Sequence, residues 1–315
     1  MGANPALNLP LNDTVSMTKY GLAEKIHLMS HTTIDFSDIY TKDIAVLDKY
    51  LLDARALERI LSVVDPLRKL AGVGSKFFMR SRNDFPTKAG LASSASGFAA
   101  LGIATAEALN LKLSREELST YVRLGSGSAA RSVFGGFVYL HEGNSHETAY
   151  AEQICTCHDF DLSVVIAIVD ANEKEISSDE GHRTAYSSPF HDVRIEKSQQ
   201  QALLVKDAIL RNDFTTVGRI AEENCKYMHA VMMTSDPPIF YWSATTLNVI
   251  KLIIQLRKEG LECYFTIDAG PNVHCLCHCS DMDLLADQLR KIAGVETVIP
   301  AIAADDIIIT NDHLF

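Results

Sequence analysis

The sequence predicts an α+β protein of two domains, and three observations support this prediction. Its 315 residues are enough for two domains that each bury a hydrophobic core. Segments typical of strands and helices alternate without the regular strand–helix–strand order of a parallel sheet. Long helical patterns are concentrated in the second half. We place the boundary within 170–190 and divide the chain into an N-terminal domain (1–175) and a C-terminal domain (176–315).

Apolar periodicity and Gly, Ser and Pro punctuation define the elements of the first half. We predict, in order, a strand (76–81), a loop (82–91), a helix (92–109), a helix (114–124), a Gly/Ser-rich loop leading into a helical turn (125–136), two strands (137–141 and 162–170) and a polar loop (171–190). The helix at 114–124 is the best marked of these, because Ser114 and Glu117 have the spacing of a capping box.

The second half continues with the same kinds of signal. We predict, in order, helices at 195–211, 214–233 and 243–259, strands at 263–268 and 273–278, a helix at 281–293, and strands at 296–301 and 305–310. The tight turn "AGPN" separates the two strands that begin at 263 and 273.

Composition and charge exclude several classes of function. The chain is 47% hydrophobic and 22% charged, which is typical of a globular protein. Its formal net charge of −11 argues against a nucleic acid or an anionic membrane as a general partner. No apolar run is long enough to span a membrane, and the first residues do not resemble a signal peptide. We therefore expect a cytoplasmic protein, and an anionic small substrate would need a locally cationic site.

Three of the seven cysteines, Cys275, Cys277 and Cys279, alternate with other residues in "NVHCLCHCS". In a strand this spacing places all three thiols on one face. A metal site and buried structural thiols both fit that pattern. We favour structural thiols and expect no metal, because the run spans more than tetrahedral ligation comfortably allows.

The stretch "FPTKAGLASSASGFAALG" joins a Pro/Gly loop to a helix that begins near Ser93 and Ser94. A helix N-terminus has unpaired N–H groups and a partial positive charge, so it favours bound phosphate. Lys88 lies just ahead of the helix and adds a cation. An ordinary serine N-cap would look similar, so the stretch alone leaves both interpretations open.

Two further segments carry polar groups suited to anions. In "GSGSAARSVFGG", Ser126, Gly127 and Ser128 offer hydroxyl and N–H donors within one turn of Arg131, whose guanidinium suits a carboxylate or a phosphate. A capped turn with a surface arginine is the alternative. In "DAGPN", Asp268 lies at the end of a strand. A catalytic carboxylate and a simple turn residue both fit this position.

Four motifs in order, "NDFPTKAGLASSASGFAAL", "GSGSAARSVFGGF", "MHAVMMTSDPPIFYW" and "YFTIDAGPNV", resemble those of the diphosphomevalonate decarboxylase family of the GHMP superfamily. The resemblance implies an N-terminal domain like ribosomal protein S5, a ferredoxin-like C-terminal domain, and a site between them. It also implies a homodimer, because this family is commonly dimeric.

The resemblance also assigns roles by position. It implies that Asp268 is the catalytic aspartate and that Arg131 holds the carboxylate of the substrate. The remaining positions are binding residues: Ser126, Gly127 and Ser128 beside Arg131, Ser93 and Ser94 in the phosphate loop, Ser81 at its approach, and Asn12 and Ser178 on the substrate side.

Several positions depart from the pattern of the family. The family's "Ser-Ser-Arg-x-Gly-Met" is here "SSDEGH", with Asp179 and His182 in place of arginine and methionine, and Lys88 replaces an alanine of the phosphate loop. A Lys-Tyr-Trp-Gly-Lys segment expected near the start is absent from the sequence as given. With less positive charge near the 5-phosphate of the substrate, a monophosphate is favoured there over a diphosphate. We expect His182 to donate a hydrogen bond to it.

These departures favour one substrate over another. We expect mevalonate 3,5-bisphosphate to lose CO₂ and its 3-phosphate, giving isopentenyl phosphate without ATP or another cofactor. The first alternative is an ATP- and Mg²⁺-dependent diphosphomevalonate decarboxylase. A GHMP kinase that phosphorylates and stops, such as a mevalonate 3-kinase, and a binding or scaffold protein without activity remain further alternatives.

Overall fold

The computed structural model describes residues 13–17, 23–27, 30–83, 93–170, 178–303 and 307–315, with the backbone alone at 13–17, 23–27, 93, 178 and 179. The helices are α1 (Ala54–Leu70), α2 (Ser93–Ala108), α3 (Arg115–Val122), α4 (Ser178–Ala185), α5 (His191–Leu210), α6 (Phe214–Met233), α7 (Ala244–Lys258) and α8 (Met282–Leu289). The strands are β1 (Asp13–Met17), β2 (Ala23–His27), β3 (Ser30–Ser37), β4 (Ile44–Leu47), β5 (Tyr50–Leu51), β6 (Lys76–Asn83), β7 (Phe137–Leu140), β8 (Ala151–Cys155), β9 (Ser163–Ile168), β10 (Cys263–Thr266), β11 (Val273–Cys277) and β12 (Thr297–Ile302).

The N-terminal half is a four-stranded sheet covered by helices. The strand order is β3-β6-β4-β5, in which β4 and β6 are parallel and the other pairs antiparallel. Asp53 caps α1 by accepting from the N–H of Ala56, and the apolar face of α1 then buries Val63 and Leu67 completely. These side chains share a core with Phe77 of β6 and with α2 and α3.

The C-terminal half is organised around a six-stranded sheet in the order β10-β11-β9-β12-β1-β2, in which β1 and β2 come from the start of the chain. All six residues of β9 are buried, because its alternate side chains enter two different cores. Val165 packs with α7 and α8, whereas Ile166 packs with α5 and α6. Helices therefore cover both faces of this sheet, and the continuous apolar run of β9 follows from that arrangement.

The partners of β9 bear on the predicted division at residue 175. β9 pairs antiparallel with β11 and β12, so it belongs to the C-terminal sheet and not to the N-terminal one. We therefore propose that the boundary precedes β9. Sequence alone places this strand with the first half because it comes early in the chain, whereas its pairing partners come more than 100 residues later.

The predicted fold class is confirmed, since α and β elements are mixed and the strands are mostly antiparallel. The capping box of Ser114 and Glu117 is present at the start of α3. The polar loop predicted over 171–190 is partly wrong, because α4 lies within it. The strand predicted over 305–310 is also wrong for residues 307–310, which form no strand.

The C-terminal tail returns to the N-terminal half. The ring of Phe315 packs edge-on against Phe78 with centroids 4.7 Å apart. Arg80 donates to the carbonyl of Leu314, and the N–H of Leu314 donates to Thr33. These contacts anchor the last two residues of the chain, which follow the predicted strand. Among the described residues, no helix is long and apolar enough to cross a membrane.

Candidate active site

Arg131 is a buried cation on a short 3₁₀ helix, Gly127–Val133, which packs against α2. The helical turn predicted after the Gly/Ser loop is therefore present. Arg131 is only 5% exposed, and Ala129, Ala130 and Val133 of the same turn are fully buried. Its Nε has no hydrogen-bond partner among the described residues. Burial lowers the pKa of Arg131 to about 10, which leaves the guanidinium charged at neutral pH.

Asp268 is the carboxylate whose charge acts on this cation. Its charge opposes the effect of burial on the pKa of Arg131, so the two side chains interact although they come from opposite halves of the chain. Asp268 itself is exposed and directly follows the buried Ile267 at the end of β10. A buried cation beside an exposed carboxylate is an arrangement that can bind an anion and place a second charge next to it.

The turn that carries Asp268 is anchored to two other elements. Thr246, at the start of α7, donates to the carbonyl of Pro271 at 2.7 Å. The side chain of Asn272 accepts from the N–H groups of Val169 and Asp170 at the end of β9. These bonds fix the far end of the turn, three and four residues beyond Asp268.

Ser126 and Ser128 carry their hydroxyl groups at the start of the turn that holds Arg131. The Oγ atoms of Ser126 and Ser128 lie 3.1 Å apart, and both residues are half-buried. Gly127 between them is exposed, and a Cβ built there would meet no atom within 4 Å. The turn thus presents two hydroxyls and open space next to a buried guanidinium.

The predicted phosphate site is described only in part. α2 begins at Ser93, as the sequence predicts, and Ser94 in its first turn is exposed. Lys88 lies outside the described residues, and so does Asn12. Because α2 packs against the turn that carries Arg131, helix α2 and Arg131 belong to one structural unit.

Ser81 is placed differently from the other predicted binding residues. It lies within β6, is 5% exposed, and its Oγ is 2.9 Å from that of Thr32 on β3. This hydroxyl links two strands within the sheet. The residues that flank the start of α2 on this sheet are instead Asn83 and Ser30, and Ser30 contacts Ser96 of α2 at 2.8 Å.

The predicted substrate-side residues Ser178 and His182 lie on α4. Ser178 is the first residue of this helix, and His182 is exposed. Between them, Gly181 is buried, and a Cβ built there would lie 2.8 Å from the hydroxyl of Tyr241. α4 also packs against α6.

Two titratable residues were missed by the sequence analysis: His229, on which the charge of Asp268 acts, and Arg194, which acts on His229. His229 of α6 is 1% exposed, and burial lowers its pKa to about 4. Burial also lowers the pKa of Arg194 on α5. The charge of Arg194 in turn lowers the pKa of His229. His229 lies in the quoted motif "MHAVMMTSDPPIFYW", so the resemblance offered a signal for it, whereas Arg194 lies in no quoted motif.

The cysteine prediction is correct for two of the three thiols. Cys275 and Cys277 of β11 are fully buried, and burial raises the pKa of both. Cys279 lies beyond the end of the strand and is exposed, so the three thiols do not share one face. No cluster of three or more His, Cys, Asp or Glu side chains suited to a metal ion occurs within the described part of the chain.

Comparison with known proteins identifies relatives of both halves. Residues 2–151 match the diphosphomevalonate decarboxylase-like N-terminal domain, and residues 164–309 match the mevalonate 5-diphosphate decarboxylase C-terminal domain. A phosphomevalonate decarboxylase of Haloferax volcanii is 34% identical over 85% of this chain and 82% of its own length. A diphosphomevalonate decarboxylase of Debaryomyces hansenii is 35% identical over 85% of this chain and 72% of its own length.

Solved structures agree in fold. Mevalonate diphosphate decarboxylase from Staphylococcus aureus superposes with a TM-score of 0.83 at 30% identity, covering 97% of this chain and 95% of that one. The enzyme from Enterococcus faecalis, described by its mevalonate diphosphate-mediated ATP binding, superposes with a TM-score of 0.80 at 31% identity, covering 96% of this chain and 95% of that one.

Proposed function

Because the chain belongs to the diphosphomevalonate decarboxylase family, we propose that it is a mevalonate-pathway carboxy-lyase that acts on a phosphorylated mevalonate. The observation that supports this activity most directly is the pairing of buried Arg131 with exposed Asp268. Decarboxylation of this class of acid needs a cation for the carboxylate and a second charged group beside the reacting carbon, and the pair supplies both.

In this proposal Arg131 binds the carboxylate of the substrate. The guanidinium is charged at neutral pH, and its Nε has no partner in the described part of the protein. A buried cation with an unsatisfied donor is costly, so a bound carboxylate would offset that cost and be held in a fixed orientation. Ser126 and Ser128 would donate to the same anion from the adjoining turn.

Asp268 would act at C3 of the substrate. The C3–O bond breaks with its electron pair leaving on the phosphate, and positive charge develops at C3. The electrons of the bond to the carboxyl carbon then form the alkene as CO₂ leaves. The carboxylate of Asp268 would stabilise the developing charge electrostatically, and where the 3-hydroxyl must first be phosphorylated it would also accept the hydroxyl proton.

Two candidates differ in how the 3-phosphate is supplied. The first, which we favour, is an ATP- and Mg²⁺-dependent decarboxylase of a 5-phosphorylated mevalonate, because the names of the relatives and the ATP binding of a solved neighbour support it. The nucleotide would supply the 3-phosphate. Ser93 and Ser94, at the N-terminus of α2, would bind its phosphates.

The second candidate is decarboxylation of mevalonate 3,5-bisphosphate without ATP. Lys88, Asp179 and His182 favour it, because they change the charge at both phosphate ends of the substrate. In either candidate Asn12, Ser178 and His182 would face the 5-phosphate. Ser81 would support the loop from within the sheet rather than bind the anion, since its hydroxyl already contacts Thr32.

One assay with four arms tests the proposal and separates the candidates. The purified protein receives mevalonate 5-phosphate or 5-diphosphate, each with ATP and Mg²⁺, or mevalonate 3,5-bisphosphate, or 3-phosphomevalonate, the last two without nucleotide. Release of CO₂ only with ATP supports the first candidate, and release from the bisphosphate alone supports the second. Accumulation of phosphorylated acid without CO₂ would identify a kinase, and ligand binding without turnover would identify a binding protein.

Sedimentation would test the proposed homodimer.

A further inference from the structure

The peptide bond just before Asp268 is held by α6. The carbonyl of Ile267 lies 3.2 Å from Nε2 of His229 and accepts a longer bond of 3.7 Å from the thiol of Cys225. Cys225 and His229 are four residues apart, so they project from successive turns of one helix face. Because Ile267 is itself 2% exposed, neither bond competes with water.

The geometry fixes the protonation of His229. A carbonyl oxygen only accepts, so Nε2 must carry the hydrogen of the Ile267 contact. Burial lowers the pKa of the imidazole to about 4, so the ring is neutral at pH 7 and Nδ1 carries a lone pair. That Nδ1 is buried and has no hydrogen-bond partner among the described residues.

Aromatic neighbours hold the imidazole in place. Its ring centroid lies 4.8 Å from that of Trp242 and 6.0 Å from that of Tyr241. His229 is 1% exposed, so its ring cannot rotate without displacing these neighbours. The donor that faces Ile267 is therefore pre-organised rather than free to turn away.

Among the described residues, His229 provides the shorter of the two bonds to the carbonyl that directly precedes Asp268. The other anchors of the turn act at Pro271 and Asn272, which lie three and four residues beyond the carboxylate. The contact at Ile267 acts on the peptide unit that leads directly into Asp268. Loss of the His229 contact would leave only the longer Cys225 bond at the near end of the turn, while the far end stays fixed.

We infer that His229 is a positioning residue, which holds the Ile267–Asp268 peptide so that the carboxylate of Asp268 points at the reacting carbon beside Arg131. This inference rests on the proposed decarboxylase activity. A displacement of about 1 Å in a catalytic group can lower turnover about 100-fold, so the effect of His229 is measurable even though it does not touch the substrate.

Three variants of His229 and one control variant test the inference. His229→Gln places an amide N–H at nearly the reach of Nε2, whereas His229→Asn is one methylene shorter and His229→Leu has no donor. We expect kcat to fall about 100-fold in the Leu and Asn variants and less than 10-fold in the Gln variant, with KM within about threefold in all. Val231→Ala, on the same helix and 1% exposed, controls for lost packing away from the Ile267 carbonyl.

A double-mutant cycle shows whether His229 acts through Asp268. In an Asp268→Asn background, His229→Asn should lower the residual rate by less than threefold, because the group that it positions has lost its charge. An equal loss in both backgrounds, wild-type kcat in His229→Asn, or a matching loss in Val231→Ala would overturn the inference. If the wild-type protein releases no CO₂ in any arm of the assay, the proposed function fails instead.

Discussion

The buried guanidinium of Arg131, in the N-terminal half, interacts with the exposed carboxylate of Asp268 from the C-terminal half. The two residues are far apart in sequence, and each is placed by a short turn between regular elements. In the proposed site, the pair would supply one cation to bind the substrate carboxylate and one anion to face the reacting carbon. We therefore expect the loss of Arg131 and the loss of Asp268 to have different effects.

Replacing Asp268 should abolish turnover without weakening the fold. Asp268→Asn keeps the shape of the turn and removes the charge, and the exposed side chain contributes little to packing. We expect kcat to fall at least about 100-fold, the scale of a lost electrostatic contact in a transition state, with the melting temperature within about 2 °C of wild type. Steady-state kinetics and calorimetry check this, and near-full activity would reduce Asp268 to a turn residue.

Replacing Arg131 should separate stability from function. Arg131→Met removes a buried cation whose desolvation cost Asp268 offsets only in part, so we expect an equal or higher melting temperature in the absence of substrate. The same change should raise KM about 10- to 100-fold through the lost charge-assisted bonds. Arg131→Lys retains a charge but not the planar donor set, so its KM should lie between those of the wild type and Arg131→Met. A variant that loses stability and keeps KM would contradict the proposed role.

His229 should make the protein less stable in acid. Its pKa is about 4 in the folded state and about 6.5 when unfolded, so the unfolded chain binds more protons between these values. The free energy of unfolding therefore decreases as the pH falls from 6.5 through 4, by about 3 kcal/mol from this group, and this group has no effect above pH 6.5. Urea unfolding of wild type and His229→Gln at pH 7, 5.5 and 4.5 should show the shallower dependence in the variant; parallel curves would exclude this assignment.

Two glycines of α2 should respond in opposite directions to alanine. A Cβ at Gly97 meets nothing within 4 Å, so Gly97→Ala should stabilise the helix by about 0.5–1 kcal/mol. A Cβ at Gly102 would lie 2.3 Å from Cγ2 of Val122 on α3, so Gly102→Ala should destabilise the protein by about 1–3 kcal/mol. Thermal unfolding of the two variants, which carry the same substitution on one helix, measures the difference. Equal shifts would show that α2 and α3 pack less closely than described.

The sequence anticipated local structure best where local signals are strong. The capping box of Ser114 and Glu117 marked the start of α3, and the apolar run of β9 marked a buried strand. α4 was missed because it lies in a polar stretch whose helical pattern is short. Cys279 was placed wrongly because alternation alone does not show that β11 ends two residues earlier.

For the site, residue types and order determined the chemistry, since an arginine after a Gly/Ser turn and an aspartate at the end of a strand already indicate groups that handle an anion. Four motifs in order determined the family. Only the tertiary structure decided that Arg131 is buried while Asp268 is exposed, because burial depends on which helices cover each turn. It alone decided that His229 donates to the carbonyl before Asp268, since that bond joins a helix and a strand end 38 residues apart.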